Sequence, residues 1–182
     1  MIILLGVPGS GKSTQGQLLV DRGKLRWISM GDIFRKKLSD EQKQKMLSGH
    51  LQDTKDTIEI LSEELKELGD EPELILDGFP RDLEQAEWLL AQHEVKTVNV
   101  RAVLYLYADK EVVKDRFLSR GRLDDSVETI MNRFDIYENT SLPAIEKLAQ
   151  GGVPVLKINA GQTPEAILED IVSALSGVGI EA

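Results

Sequence analysis

The sequence predicts an α/β domain with a five-stranded parallel sheet flanked by helices in three layers. Two observations carry this. Five short apolar runs, Ile2–Leu5, Trp27–Ser29, Leu74–Leu76, Ala102–Tyr107 and Val155–Ile158, are near strand length and mostly continuous rather than alternating. Continuous apolar character suits strands buried on both faces, as parallel strands are. Longer segments with helical spacing separate the runs, and strand–helix alternation predicts right-handed crossovers within one sheet. The chain has 182 residues, the size of one domain, and is read as a single unit over 1–182.

Composition narrows the partners. Hydrophobic content is 41%, only 5% is aromatic, and the net charge is −9, so aliphatic residues must build the core under an acidic surface. That surface argues against nucleic acid or an anionic membrane as a partner, although a local basic site can still hold a small anion. There is no cysteine, hence no disulfide or thiol chemistry. No apolar run reaches the ~18 residues of a membrane span. Met1 leads directly into the first apolar run without a basic leader, so a cytoplasmic setting is expected.

The elements follow in order. The first run ends in "GVPGSGKST" (Gly6–Thr14), which matches G-x-x-x-x-G-K-[ST] between a strand and a helix. Glycines let successive N–H groups curl inward on an anion, and the helix N-terminus adds positive partial charge. Gly9, Ser10, Gly11, Lys12, Ser13 and Thr14 are therefore candidate nucleotide contacts. Lys12 would reach the β- and γ-phosphates and Ser13 would offer its hydroxyl to Mg²⁺. After the second run comes "SMGDIFR", with Asp32 placed to cap a helix and Arg35 on the ligand side of the sheet. The polar stretch Ser39–Thr57 reads as a helical excursion, and Ile58, Leu61, Leu65 and Leu68 form a helical stripe after it.

The third run ends at Asp77, at the carboxyl edge where ligands gather. Such an aspartate is often only a turn former, but beside the cradle it could hold Mg²⁺ through water. Arg81 follows "DGFP". With Gln85 one helical turn on, it offers a guanidinium fork for phosphate and an amide for a base edge. Leu83, Ala86 and Leu90 are read as the apolar stripe of this helix, and Val112 with Arg116 as one face of a later one. "RFLSRGRLDD" (Arg116–Asp125) sets Arg116 and Arg120 one turn apart, with Gly121 breaking their helix and Asp124 starting the next. Arg122 and Arg133, eleven residues apart, could line one side of a site. Such arginines are either an exposed ion-pair network or charge clamps on a transferring phosphoryl group. His50 and His93 read as surface or helix-end residues, Trp88 as core, and the tail "SGVGIEA" as frayed.

Together, "GVPGSGKSTQ", "ISMGDIFR", "SGHL", "ILDGFPRDLEQAEWL", "RGRLDD" and "ETIMNRFDIYENTSLPAI" resemble the adenylate kinase family of nucleoside monophosphate kinases over nearly the whole chain. The resemblance implies a P-loop NTPase fold and reversible Mg²⁺-dependent transfer of the ATP γ-phosphoryl group to AMP. It implies an AMP-binding excursion over 30–60 and a lid loop reduced to 119–126. Carried over, Lys12, Arg81, Arg122 and Arg133 would be catalytic. Arg116 and Arg120 would join the cradle on ATP, with the "AGQT" backbone (Ala160–Thr163) near its base. Met30, Arg35, Gln52, Gly78, Arg81, Gln85, Arg122 and Arg133 would surround AMP, and Ser13 and Asp77 would serve the metal.

The chain departs from the family pattern at Ser13, at Met30, at Gln52-Asp53 and at the lid, where Gly121 alone separates Arg120 from Arg122. Two rival readings are a UMP/CMP kinase of the same fold and a non-catalytic nucleotide-sensing module. Gln85 favours AMP over the first, and the second set of arginines argues against the second. The expected partners are ATP and AMP, with no nucleic acid or membrane, in a monomer or small homo-oligomer.

Overall fold

In a computed structural model, which describes residues 1–23, 25–47, 50–68, 73–119 and 127–181, five strands form one parallel sheet. They are β1 (Ile2–Gly6), β2 (Arg26–Ser29), β3 (Leu74–Asp77), β4 (Ala102–Tyr107) and β5 (Val155–Asn159), in the order β2-β3-β1-β4-β5. All four pairings are parallel, with Leu4 opposite both Asp77 and Leu104. The five apolar runs are these strands, give or take one residue at an end.

Period-two geometry explains why the runs looked unbroken. Ile2 and Leu4 point to one face, where they pack with Leu19, Ile75, Leu104, Ile167 and Ile171. Ile3 and Leu5 point to the other, against Phe34, Leu61, Leu76, Leu89 and Ile145. Helices α1 (Lys12–Asp21) and α9 (Pro164–Gly177) cover the first face. Helices α2 (Met30–Lys37), α4 (Thr54–Leu68), α5 (Leu83–Glu94) and α8 (Leu142–Gln150) cover the second, which completes three layers. The excursion between β2 and β3 carries α2, the short α3 (Asp40–Leu47) and α4. A smaller cluster of Val7, Val113, Ile130 and Phe134 binds α6 (Lys110–Ser119) and α7 (Val127–Ile136) to the loop after β1. From α7 the chain passes through a π-helical turn, Tyr137–Ser141, into α8.

Two helix phases differ from expectation. Leu83 and Val112 are exposed, and the buried faces are Gln85, Ala86 and Leu89 on α5 and Val113 on α6. Leu89-Leu90 and Val112-Val113 are adjacent apolar pairs, and periodicity alone could not choose between their members. Leu61 is the fully buried centre of the α4 stripe, with Ile58 and Leu65 packed beside it. Trp88 packs edge-on against Phe79, with ring centroids 5.8 Å apart. The tail is not frayed through Ile180. That side chain is buried in the core, its N–H donates to the Leu175 carbonyl, and Arg101 Nη2 donates to the Gly179 carbonyl at 2.7 Å. Among the described residues, no helix is long and apolar enough to cross a membrane.

Candidate active site

Parallel strands all end on the same side, and there a cavity of about 970 Å³ opens between the sheet and its helices. That is at the upper end of ordinary ligand sites, about 300–1,000 Å³. Strand ends supply Leu5, Gly6, Ser29 and Asp77 to its lining.

The cradle forms one part. Gly9 and Gly11 have φ of 81° and 87°, a left-handed backbone that turns the loop back onto the N-terminus of α1. Lys12 Nζ lies back across this loop, donating to the carbonyls of Gly6 at 2.8 Å and Val7 at 3.3 Å. Ser10, Ser13 and Thr14 line the cavity here, and the Ser10 hydroxyl is buried without a protein hydrogen-bond partner. An oxyanion in the cradle would meet N–H groups, a helix N-terminus and an ammonium together.

Beside it lies the loop after β5. Arg116 donates through Nη1 to the Ala160 carbonyl at 2.6 Å and through Nη2 to the Gln162 carbonyl at 3.0 Å. Gln15 Nε2 donates to the Pro164 carbonyl at 2.9 Å, tying α1 to the start of α9. Gly161, Gln162 and Thr163 line the cavity beyond. In this arrangement Arg116 organises the loop as well as facing the site.

The far part gathers the other charges. Asp77 is 5% exposed at the end of β3. Burial pushes its carboxyl above the usual aspartate range, and the nearby Lys12 and Arg81 cations pull against that. Burial likewise draws the Arg81 guanidinium below the usual arginine value. The Asp77 charge opposes this and Arg133 adds to it, so the three side chains share one field. Arg81 Nε donates to the Gly78 carbonyl at 2.9 Å. Gly78 has φ of +84°, a backbone that favours glycine, and a Cβ there would stand 2.9 Å from Arg81 Nη2 and push the tip of that side chain aside. Arg35 lines the cavity from α2 and is paired with Asp32. Gln85 is 2% exposed, and its Oε1 accepts from the Arg81 N–H at 2.8 Å. Arg133 reaches the same cavity from α7.

Among the residues singled out by sequence, the cavity brings together Gly9 through Thr14, Arg35, Gln52, Asp77, Gly78, Arg81, Gln85, Arg116 and Arg133. Met30 is not in the lining. It is wholly buried in the core, on the same cluster as Ile33 and Phe34. Gln52 is in the lining, with Nε2 donating to the Gln42 carbonyl at 3.2 Å. Arg120 and Arg122, with the lid loop beyond Ser119, lie outside the described residues. Sequence reasoning passed over Ser29, His50, Tyr137 and Ser141, which also line the cavity. Ser29 carried a usable signal as the last residue of a strand. Tyr137 and Ser141 carried none, because a π-turn brings them in: Tyr137 donates to the Tyr105 hydroxyl at 2.8 Å and Ser141 to the Arg81 carbonyl at 3.1 Å.

A phosphate cradle and a second set of arginines, Arg35, Arg81 and Arg133, in one cavity of a parallel α/β sheet define the class: a P-loop nucleotide phosphotransferase. The family model for adenylate kinase matches residues 4–153. The chain is 37% identical over 180 residues to an adenylate kinase of Corynebacterium urealyticum, covering 96% of this chain and 98% of the relative. It is 36% identical over 181 residues to one from a Synechococcus strain, covering 96% and 98%. It is also 37% identical over 153 residues to one from Oenococcus oeni, covering 80% and 81%. The chain belongs to the adenylate kinase family.

Proposed function

We propose that this enzyme transfers the γ-phosphoryl group of ATP to AMP, reversibly and with Mg²⁺, giving two ADP. The observation that carries the reading is one cavity with two cationic groups suited to phosphate, the cradle around Lys12 and the half-buried Arg81 with Arg133 near it. A module that only sensed one nucleotide would need the first group alone. The names of the relatives support AMP over a pyrimidine acceptor.

The donor set suits Mg²⁺ of one kind. Among the described residues no group of three or more His, Cys, Asp or Glu forms a metal cage. Mg²⁺ does not require one, since it keeps several waters and is commonly held by one or two carboxylates together with substrate phosphates. Asp77 and Ser13 both line the cavity, and they would hold the ion, Asp77 through water. When bound, it supplies neutralisation of charge on the β- and γ-oxygens.

The chain's own groups do the remaining work. Lys12 leaves its loop carbonyls to follow the phosphoryl group that moves. Arg35 and Arg81 hold the AMP phosphate, and Gln85 meets the base. Arg133 lines the same cavity near Arg81 and, with Arg122 from outside the described residues, neutralises charge building on the transferred group. No covalent intermediate is required, since alignment of two bound reactants and charge stabilisation account for this class of transfer. Arg116, with Arg120 outside the described residues, belongs to the ATP end.

The test is an ADP-formation assay with ATP, Mg²⁺ and AMP, CMP, UMP or GMP in turn. AMP is expected to give the fastest turnover. No acceptor-dependent ADP with any of them would remove the kinase reading, and UMP or CMP outrunning AMP would remove the choice of acceptor alone.

A further inference from the structure

Gln85 is held in a way that its role as a base contact does not require. Its side-chain Nε2 donates to Asp82 Oδ2 at 2.8 Å, while its Oε1 accepts from the Arg81 N–H at 2.8 Å. Asp82 is fixed in turn. Oδ1 caps α5 by accepting from the Gln85 N–H at 2.8 Å, and Oδ2 also accepts from the Thr54 hydroxyl at 2.7 Å. Thr54 is the first residue of α4, on the excursion that borders this end of the cavity.

A free carboxamide can turn over and offer either order of donor and acceptor to a base. This one cannot do so cheaply. Turning it would set Oε1 against the Asp82 carboxylate and the amide N–H groups against the Arg81 N–H, two like-facing pairs in a buried site. The capacity left to Gln85 is one N–H and one lone pair, in a single order. Bases divide on this point. Adenine and cytosine show a ring-nitrogen acceptor beside an amino donor, whereas guanine and uracil show a ring N–H beside a carbonyl.

We propose that Thr54 and Asp82 are positioning residues that lock the polarity of the Gln85 amide and so select an amino-bearing base against a lactam-bearing one. The proposal rests on the reading of this end as the acceptor site. It assigns no contact with substrate to either residue.

The experiment measures kcat and KM for AMP, GMP and UMP with the full chain, T54V and D82S. The D82S hydroxyl can still cap α5 but cannot also hold the amide. T54V should lower the AMP:GMP and AMP:UMP ratios of kcat/KM by a factor of about five, the value of one hydrogen bond, with kcat for AMP within about twofold. D82S should lower them by about tenfold or more. A purely structural role would weaken all three acceptors together and leave the ratios unchanged, and that result in both variants overturns the lock while the kinase reading stands. A parent chain that phosphorylates none of the acceptors overturns both.

Discussion

The end of the cavity proposed to hold AMP turns on Arg81, whose guanidinium burial draws below the usual arginine value while the Asp77 charge opposes this and Arg133 adds to it. Arg133 is the residue whose loss separates catalysis from folding most cleanly. Arg133→Ala should reduce kcat by roughly 10³-fold, the lower end of what an arginine on a transferring phosphoryl group contributes, with little change in melting temperature. A near-normal rate would return Arg133 to the surface-charge reading. Gly78→Ala tests the backbone beneath Arg81. A side chain at φ +84° costs about 1–2 kcal/mol, and the new Cβ would displace the guanidinium. Reduced stability in urea together with a raised KM for AMP is expected, and an unchanged KM would show that Arg81 tolerates the shift. Lys12, Asp77 and Arg81 were legible in the sequence because strand ends and a glycine-rich loop announce them. His50 and Tyr137 were not, since nothing in their neighbours' spacing marks where a remote helix or turn will bring them.

At the level of elements, strands were the most legible part. Their two-sided burial leaves a short unbroken apolar run, and each of the five runs is a strand. Helix phase was less so wherever two apolar residues stand side by side, as at Val112-Val113, because a 100° rotation decides which one meets the core. The C-terminal segment was misread because its polar and glycine-rich residues hide one anchoring side chain. Ile180→Ala should therefore cost about 2 kcal/mol, near the lower end for a buried isoleucine. A loss below about 0.5 kcal/mol in urea titration would mean that the tail does not close the core. Helix α7 and the π-turn after it connect Phe134 in the small cluster under the cradle loop with Ser141 at the Arg81 carbonyl. Phe134→Ala should destabilise by about 3–5 kcal/mol and impair turnover in the molecules that remain folded, because it loosens the helix that aims Arg133. Full activity in the folded fraction would show that the π-turn alone fixes that helix.

Across the whole molecule, an acidic chain encloses a cavity lined by Lys12, Arg35, Arg81, Arg116 and Arg133, and the glycine-rich motif with the arginines, rather than the net charge, made the site recognisable before any fold was known. The one-residue connection at Gly121, between Arg120 and Arg122, is where the sequence departs most from the family pattern. The central claim is that one cavity holds both nucleotides at once and that transfer between them is direct. An initial-rate matrix of ATP against AMP, with Mg²⁺ held in excess, tests this most directly. AMP-dependent ADP formation with double-reciprocal lines that intersect is the predicted result. Parallel lines, the mark of a phosphorylated enzyme intermediate, or ADP formation that ignores AMP would contradict it.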